Sequence, residues 1–307
     1  MAESASQHNN SPLLTTIKLY VRYLRLERNL SPNTIEAYRN DLSHLEAFMM
    51  RNDLKLEDVT LEQLHAFAAS LHEYGITPRS QARVLSGVRS FFRFLVLDGV
   101  VESDPTELLE WPSLPEHLPV VLTLEEIDRI EDSIDLSKAE GARNRAIIEV
   151  LFSCGLRVSE LVNMKLSDLY LEDRVLLVRG KGNKERLVPV SNKAIADLKR
   201  WFFDRNLMKI KPSEDDYVFL NRRGAHLTRT MILIMVKRQA EEAGIKKTIS
   251  PHTFRHSFAT ALLQGGADLR SIQAMLGHEK IDTTLVYTHI SNEQLRKAIL
   301  EHHPRNI

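Results

Sequence analysis

Three prolines within eight residues place the strongest constraint on how this chain folds. Pro112, Pro115 and Pro119 each lack a backbone N–H and fix their own φ, so no helix runs through them and an extended connector is favoured. At 307 residues the chain is long for a single hydrophobic core, which also favours two domains. We therefore predict a linker at 111–120 that joins two separately folded parts.

The composition excludes several classes of protein. Hydrophobic residues make up 43% and charged residues 27% of the chain, which excludes a disordered or collagen-like protein. The single cysteine, Cys154, rules out an intrachain disulfide and suits a reducing compartment. No secretory pattern opens the sequence, and no apolar run approaches the roughly 18 residues that a membrane span needs. We expect a cytoplasmic protein with a disordered stretch at 1–12.

Apolar spacing and capping residues predict helices on both sides of the linker. Ser31 and Pro32 suit the N-cap and the first position of a helix that runs to about Met50. The predicted helices cover 15–28, 31–50, 60–74 and 78–97 before the linker, and 124–133, 142–154, 191–206, 228–243, 252–264, 268–276 and 292–301 after it.

One hairpin interrupts the helices. Segments 174–179 and 185–190 are rich in Val and Leu and flank a turn that contains two glycines, the pattern of two paired strands. The predicted fold class is therefore mainly α with a small β-sheet. It comprises a helical bundle at 13–110 and a mixed, mostly helical domain at 121–307.

Charge is balanced overall but unevenly distributed. Forty-one basic against 41 acidic residues argue against a protein that coats nucleic acid non-specifically. Yet no acidic residue lies between Glu73 and Asp98, where four arginines share one helix face. A row of cations suits the phosphate backbone of DNA, although a solvated face over an apolar stripe is the alternative. The four residues are Arg79, Arg83, Arg89 and Arg93. Further candidates for DNA contact, each also consistent with a plain surface charge, are Arg222, Arg223 and Arg229.

Two short motifs contain residues that are suited to binding an anion. Gly155 fits the end of a helix, and Arg157 then opens a segment in which Glu160 can either orient Arg157 or cap the next helix. His252 and Arg255 share a helix face just after a proline, near a helix N-terminus that favours anions. An ordinary polar helix face is the alternative for the second motif.

A metal site is a weaker interpretation of the same helix. His252 and His256 have the spacing of zinc ligands, but Thr253 stands where a metalloprotease motif has glutamate. No cluster of carboxylates or cysteines lies nearby in the sequence. We predict neither a metal nor another cofactor.

Three more residues indicate a function only when they are considered together. Lys181 lies between two glycines of the hairpin turn, His278 follows a Leu-Gly pair, and Tyr287 comes nine residues later. Taken singly, they are consistent with a surface lysine, a polar loop residue and a packing tyrosine.

In order, these residues resemble the six-residue active-site pattern of the tyrosine recombinase (phage-integrase) family. The matching set is Arg157, Lys181, His252, Arg255, His278 and Tyr287. The segments GLRVSEL, GKGNKERLVPV, SPHTFRHSFAT, LGH, TTLVYTH and SPNTIEAYRNDL are similar to the Xer subgroup, bacterial recombinases that resolve chromosome dimers. The resemblance extends over nearly the whole chain from about Leu13.

The resemblance implies a helical, SAM-like core-binding domain and a catalytic domain that clamp double-stranded DNA. It also implies a homo- or hetero-tetramer on two DNA sites, with the C-terminal helix near 292–301 docked on a neighbouring subunit. A DNA-translocase motor is an implied activator. Tyr287 would be the nucleophile that forms a 3′-phosphotyrosine, with Glu160 in a supporting role.

Three alternative functions compete with this interpretation. Another enzyme of the same family, such as a mobile-element integrase or a resolvase of plasmid multimers, would carry the same active site, but the short chain without an extra arm-binding domain favours chromosome-dimer resolution. A DNA-binding protein that has lost catalysis conflicts with an intact six-residue set. A metal-dependent nuclease would lose its activity on chelation.

Overall fold

The computed structural model describes residues 12–113, 119–180, 184–277 and 292–305. The chain divides into two compact units, one on each side of the proline-rich segment. In the described part of the chain, no helix combines the length and the apolarity needed to cross a bilayer.

The N-terminal unit is a bundle of helices. Its elements are α1 (Pro12–Leu26), α2 (Pro32–Arg51), a 3₁₀ turn (Leu56–Asp58), α3 (Leu61–Glu73) and α4 (Pro78–Leu97). Ser31 and Thr77 cap α2 and α4 through their side chains, and proline occupies the first turn of both helices. Its core combines aromatic rings with many Leu, Ile and Val side chains, and Tyr20, Phe91 and Phe92 are fully buried. Burial of these apolar side chains stabilises the unit.

The second unit is mostly helical with one small sheet. Its helices are α5 (Leu124–Asp132), α6 (Gly141–Ser153), α7 (Val158–Val162), α8 (Asn192–Asn206), α9 (Arg229–Glu242), α10 (Pro251–Gln264), α11 (Leu269–Leu276) and α12 (Asn292–His302). Its strands are β1 (Leu169–Tyr170), β2 (Val175–Arg179) and β3 (Glu185–Pro189), which follow a 3₁₀ turn at Leu166–Asp168. This arrangement confirms the predicted fold class. The short elements α7 and β1 were not predicted, because neither is long enough to show a periodic pattern.

The sheet is an antiparallel meander in the order β1-β2-β3. In the β2–β3 pair, Leu176 lies opposite Val188 and Val178 opposite Arg186. Because side chains alternate between the two faces of a strand, Arg186 shares the inward face with the buried Val188. A charged residue therefore faces the interior of the unit at this end of β3.

Helix α6 forms the centre of this unit. Residues on all of its sides are buried, from Ala146 to Ser153 without a break. A helix that is buried on all sides needs neighbours on every side, and α5, α8 and α10 pack around it. The turn that follows α6 is consequently held in place by the core, and this turn carries Arg157.

The C-terminal segment packs on its own unit. Helix α12 lies against α10, α11 and β3, with Ala298 and Ile299 buried. Beyond it, the buried His303 ring lies 5.0 Å from Phe152, and Arg305 reaches the buried carboxylates of Glu131 and Glu149. The sequence pattern had predicted no role for residues 303–305. Docking of α12 on a neighbouring subunit remains a prediction.

Candidate active site

A glycine-dependent turn positions Arg157. Gly155 follows α6 with φ +58°, a left-handed conformation, and a Cβ at this position would lie 2.4 Å from Cδ1 of Phe258. Arg157 is the N-cap of α7, and its backbone N–H donates to Oε2 of Glu160 at 2.8 Å. Its Nη1 donates to Oε1 of the same carboxylate, also at 2.8 Å. Glu160 thus both caps α7 and orients the Arg157 side chain.

A second arginine binds the same carboxylate. Nη1 and Nη2 of Arg186 donate to Oε1 and Oε2 of Glu160, each at 2.8 Å, in a bidentate pair. Burial acts to raise the pKa of Glu160, but the hydrogen bonds and charges of Arg186 and Arg157 outweigh it and hold the pKa below its usual value. Arg186 was not among the site residues predicted from the sequence. The available signal was its register, two residues before Val188 on the inward face of a predicted strand.

Arg255 reaches the same region from α10. It lies one turn into the helix and is 7% exposed. Its Nη1 donates to the carbonyl of Gly155 at 2.7 Å, and its Nη2 donates to the carbonyl of Leu276. Burial, together with the neighbouring charge of Arg157, lowers the pKa of Arg255 to about 10, so the guanidinium stays charged at neutral pH.

The end of α11 organises the three arginines. Arg186 Nε donates to the carbonyl of Met275 at 2.7 Å, Arg255 Nη2 to that of Leu276, and Arg157 Nη2 to that of Gly277 at 2.9 Å. Carbonyls at a helix C-terminus lack helical partners and carry the negative end of the helix dipole, so they suit cations. Gly277 ends the helix in the left-handed conformation at φ 64°. Three consecutive carbonyls therefore each fix one guanidinium.

The resulting cluster holds more positive than negative charge. The guanidinium groups of Arg157 and Arg186 bind the carboxylate of Glu160, and the charge of Arg255 lies close by. The side chains of Arg157, Arg186 and Glu160 are 34%, 11% and 3% exposed. Arg157 is thus the member that solvent or a ligand reaches most easily. Planar forks that are held in fixed orientations suit the oxygens of a phosphate group.

Of the six residues matched to the family pattern, the structure brings Arg157 and Arg255 together. His252 is exposed in the first turn of α10, three residues before Arg255, and His256 is exposed one turn further on. Lys181, His278 and Tyr287 lie outside the described residues. Within the described ranges, no group of three His, Cys, Asp or Glu side chains is placed to hold a metal ion.

The four arginines of α4 have different surroundings. Arg79 and Arg93 are exposed. Arg83 forms an ion pair with Asp41, a buried residue of α2. The absence of acidic residues between Glu73 and Asp98 did not reveal this partner, because Asp41 lies on another helix.

Arg89 is the most constrained member of this row. Its Nη2 donates to the carbonyls of Thr106 and Leu109, and its guanidinium lies 4.6 Å from the centroid of the Trp111 ring. Arg89 therefore stabilises the segment that follows α4, so its guanidinium is less accessible to DNA than those of Arg79 and Arg93. DNA contact by these residues remains a prediction.

The candidates near α9 lie at the surface. Arg223 and Arg229 are exposed, the latter at the N-terminus of α9. Arg222 is also exposed and pairs with Glu140. Their assignment to DNA likewise remains a prediction.

Comparisons with known proteins agree with this architecture. Residues 120–294 match the Phage integrase family, and residues 17–99 match the phage integrase N-terminal SAM-like domain. The tyrosine recombinase XerD of Listeria innocua is 40% identical over 289 residues, which cover 93% of this chain and 97% of that protein. The tyrosine recombinase XerD of Pseudomonas putida is 40% identical over 289 residues, which cover 94% and 97%.

Solved structures extend the comparison to the fold. The XerH site-specific recombinase bound to its difH substrate aligns with a TM-score of 0.66 and 26% identity, covering 92% of this chain and 82% of that chain. A lambda integrase dimer bound to a core site aligns with a TM-score of 0.70 over 88% of this chain and 96% of that chain, and at 19% identity it supports the fold alone.

The chain belongs to the phage integrase family. Within it, the chain is a site-specific tyrosine recombinase of the Xer type, similar to XerD, which confirms the resemblance seen in the sequence.

Proposed function

We propose that this protein cuts DNA at a specific site and rejoins it through a covalent 3′-phosphotyrosine at Tyr287, and that it resolves chromosome dimers at cell division. The observation that supports this most directly is the cluster of Arg157, Arg186, Arg255 and Glu160, in which the guanidinium groups are held in fixed orientations and Arg157 is the one most accessible to an anion. The similarity to XerD over nearly the whole chain supports the cellular role.

The chemistry needs a nucleophile that preserves the energy of the broken bond. In the proposed step, the Tyr287 hydroxyl oxygen attacks the DNA phosphorus, the P–O5′ bond breaks, and a phosphotyrosine and a free 5′-hydroxyl result. The transition state places additional negative charge on the non-bridging oxygens. Arg157 and Arg255 would stabilise this charge, and such electrostatic stabilisation is often the largest single contribution to catalysis. His278 would donate a further hydrogen bond to the same oxygens.

Two protons must move during this step. The pKa of an ordinary tyrosine is about 10, so Tyr287 needs help to lose its proton at neutral pH. His252, exposed beside the buried Arg255, is the proposed assistant. Lys181 is the proposed general acid that protonates the leaving 5′-oxygen. Attack by a 5′-hydroxyl of the partner strand on the phosphotyrosine then reverses the chemistry and rejoins the DNA.

The guanidinium groups and Lys181 supply the cations that phosphoryl transfer requires, so the proposed reaction uses no divalent metal and no cofactor. Double-stranded DNA is the proposed substrate, contacted by exposed arginines on α4 and near α9. We further propose a homo- or hetero-tetramer on two DNA sites, activation by a DNA translocase and a cytoplasmic location.

The test is strand cleavage of a nicked duplex that carries a candidate dimer-resolution site, in buffer with EDTA. A covalent protein–DNA band on a denaturing gel that disappears in Tyr287→Phe is the expected result. Tyr170→Phe is the matched control, because this tyrosine is exposed on β1 and is not part of the cluster. Cleavage that requires a divalent metal, or a band that persists in Tyr287→Phe, contradicts the proposal.

A further inference from the structure

Arg186 is the third guanidinium of the cluster, and its own surroundings differ from those of a surface ion pair. Three of its N–H groups are used within the site: Nη1 and Nη2 by Glu160, and Nε by the carbonyl of Met275. The side chain is 11% exposed. Because each of its three nitrogens donates a hydrogen bond within the site, this guanidinium is held in one orientation, unlike that of an exposed ion pair, which contributes little to stability.

Two glycines lie against this guanidinium. A Cβ added to Gly277 would lie 3.3 Å from Nη1 of Arg186, and one added to Gly180, at the end of the hairpin strand, would lie 3.6 Å from the same atom. The guanidinium therefore fills the space between the hairpin and the last turn of α11. It also brings the hairpin into contact with Glu160, whose Oε1 would lie 3.7 Å from a Cβ at Gly180.

We propose that Arg186 is a positioning residue of the active site: it holds the Glu160 carboxylate against the end of α11 and thereby fixes the orientation of the Arg157 guanidinium. Arg157 is bound on one side by Glu160 Oε1 and on the other by the carbonyl of Gly277. Arg186 anchors both of these partners, the first directly and the second through the neighbouring carbonyl of Met275. The proposal rests on the proposed function, in which Arg157 binds the DNA phosphate.

A lysine at position 186 cannot form the same set of contacts. Its ammonium is a single point of charge, whereas Arg186 spans two carboxylate oxygens and a carbonyl with a planar fork. Arg186→Lys and Arg186→Gln should therefore both slow cleavage, and free guanidinium should partly restore an Arg186→Ala variant. A displacement of Arg157 of about 1 Å is enough to slow such a step on the order of 100-fold.

The experiment measures single-turnover formation of the covalent complex on the nicked duplex, alongside DNA affinity. Arg186→Gln should cleave roughly 10- to 100-fold more slowly than the wild type, with affinity for the uncleaved duplex within about threefold. The acid limb of its pH–rate profile should move to higher pH, because Glu160 keeps only Arg157 as a hydrogen-bonded cation and Arg255 as a neighbouring charge. Arg179→Gln is the matched control, because Arg179 lies on the same hairpin but pairs with Asp168 and Glu185. This variant should cleave DNA at the wild-type rate.

A second readout does not depend on cleavage. In the wild type, the two hydrogen bonds of Arg157 should restrict rotation of its guanidinium and give sharp side-chain NMR signals, which should broaden in Arg186→Gln. Signals that stay sharp in this variant, or cleavage and a pH profile equal to those of the wild type, overturn the proposal. Loss of cleavage in the wild type itself would count against the proposed function instead, while the NMR comparison still decides the role of Arg186.

Discussion

Replacing Glu160 by glutamine tests how strongly the cluster depends on its one carboxylate. Oε1 accepts from Arg157 Nη1 and Arg186 Nη1, and Oε2 accepts from the Arg157 backbone N–H and Arg186 Nη2. Glutamine keeps the shape but converts one oxygen into an NH₂ group, which donates. In either amide orientation, this group faces two donors and can satisfy neither.

The expected loss of stability follows from these contacts. Two hydrogen bonds to charged groups are lost, each worth roughly 1.5–3 kcal/mol, and removing one partner of a buried ion pair costs about 3–5 kcal/mol. Arg157 is 34% exposed, so water can compensate part of the loss on that side. We therefore expect Glu160→Gln to lower the free energy of unfolding of the second unit, the catalytic unit that contains this cluster, by about 3 kcal/mol.

Urea unfolding followed by tryptophan fluorescence measures this effect. The chain has two tryptophans, and in a Trp111→Phe background the buried Trp201 reports on the catalytic unit alone. Glu172→Gln, an exposed glutamate between β1 and β2, is the control and should change stability by no more than about 0.5 kcal/mol. A loss below about 1 kcal/mol for Glu160→Gln would mean that the carboxylate is not needed to hold the guanidinium groups, which contradicts this prediction.

Three further predictions concern other parts of the structure. Gly155→Ala should destabilise the catalytic unit by roughly 2 kcal/mol or more, measured by urea unfolding, because a left-handed φ and contact with Phe258 both oppose a Cβ; a neutral effect contradicts this. Burial raises the pKa of Asp41 to about 6 despite its ion pair, so its contribution to stability should be full below pH 3.8 and should fall by about 3 kcal/mol as pH rises through 6. Asp41→Asn should remove this slope from pH-dependent unfolding curves, and an unchanged slope contradicts the assignment. Arg305→Gln should lower the urea midpoint of the catalytic unit by an amount equivalent to roughly 1–3 kcal/mol, since Glu131 and Glu149 lose this partner but keep Lys193; an unchanged midpoint contradicts a stabilising role for this ion pair.

Features that depend on neighbouring residues were predictable from the sequence. The helices of both units begin and end close to the predicted positions because capping residues and apolar spacing act locally. Gly155 adopts the left-handed turn that its place after an apolar helix suggested. Glu160 lies within reach of Arg157 for the same reason, since both belong to one capping box.

Features that depend on distant segments were not predictable in the same way. Arg186 reaches Glu160 across 26 residues and Met275 across 89, so no local pattern marks it as part of the site. Arg83 finds its acidic partner on another helix, and Arg305 finds its carboxylates on α5 and α6. Tertiary packing determines these contacts, and a charge that looks unpaired along the sequence can be paired in space.

The most direct test of the account identifies the residue that becomes linked to DNA. A suicide duplex would trap the covalent complex in the presence of EDTA, and trypsin and nuclease digestion followed by mass spectrometry would locate the attached nucleotide. We predict attachment within the tryptic peptide 281–296, which contains Tyr287 as its single tyrosine. Attachment at another residue, or cleavage products that carry no protein and form only with a divalent metal, would contradict the account.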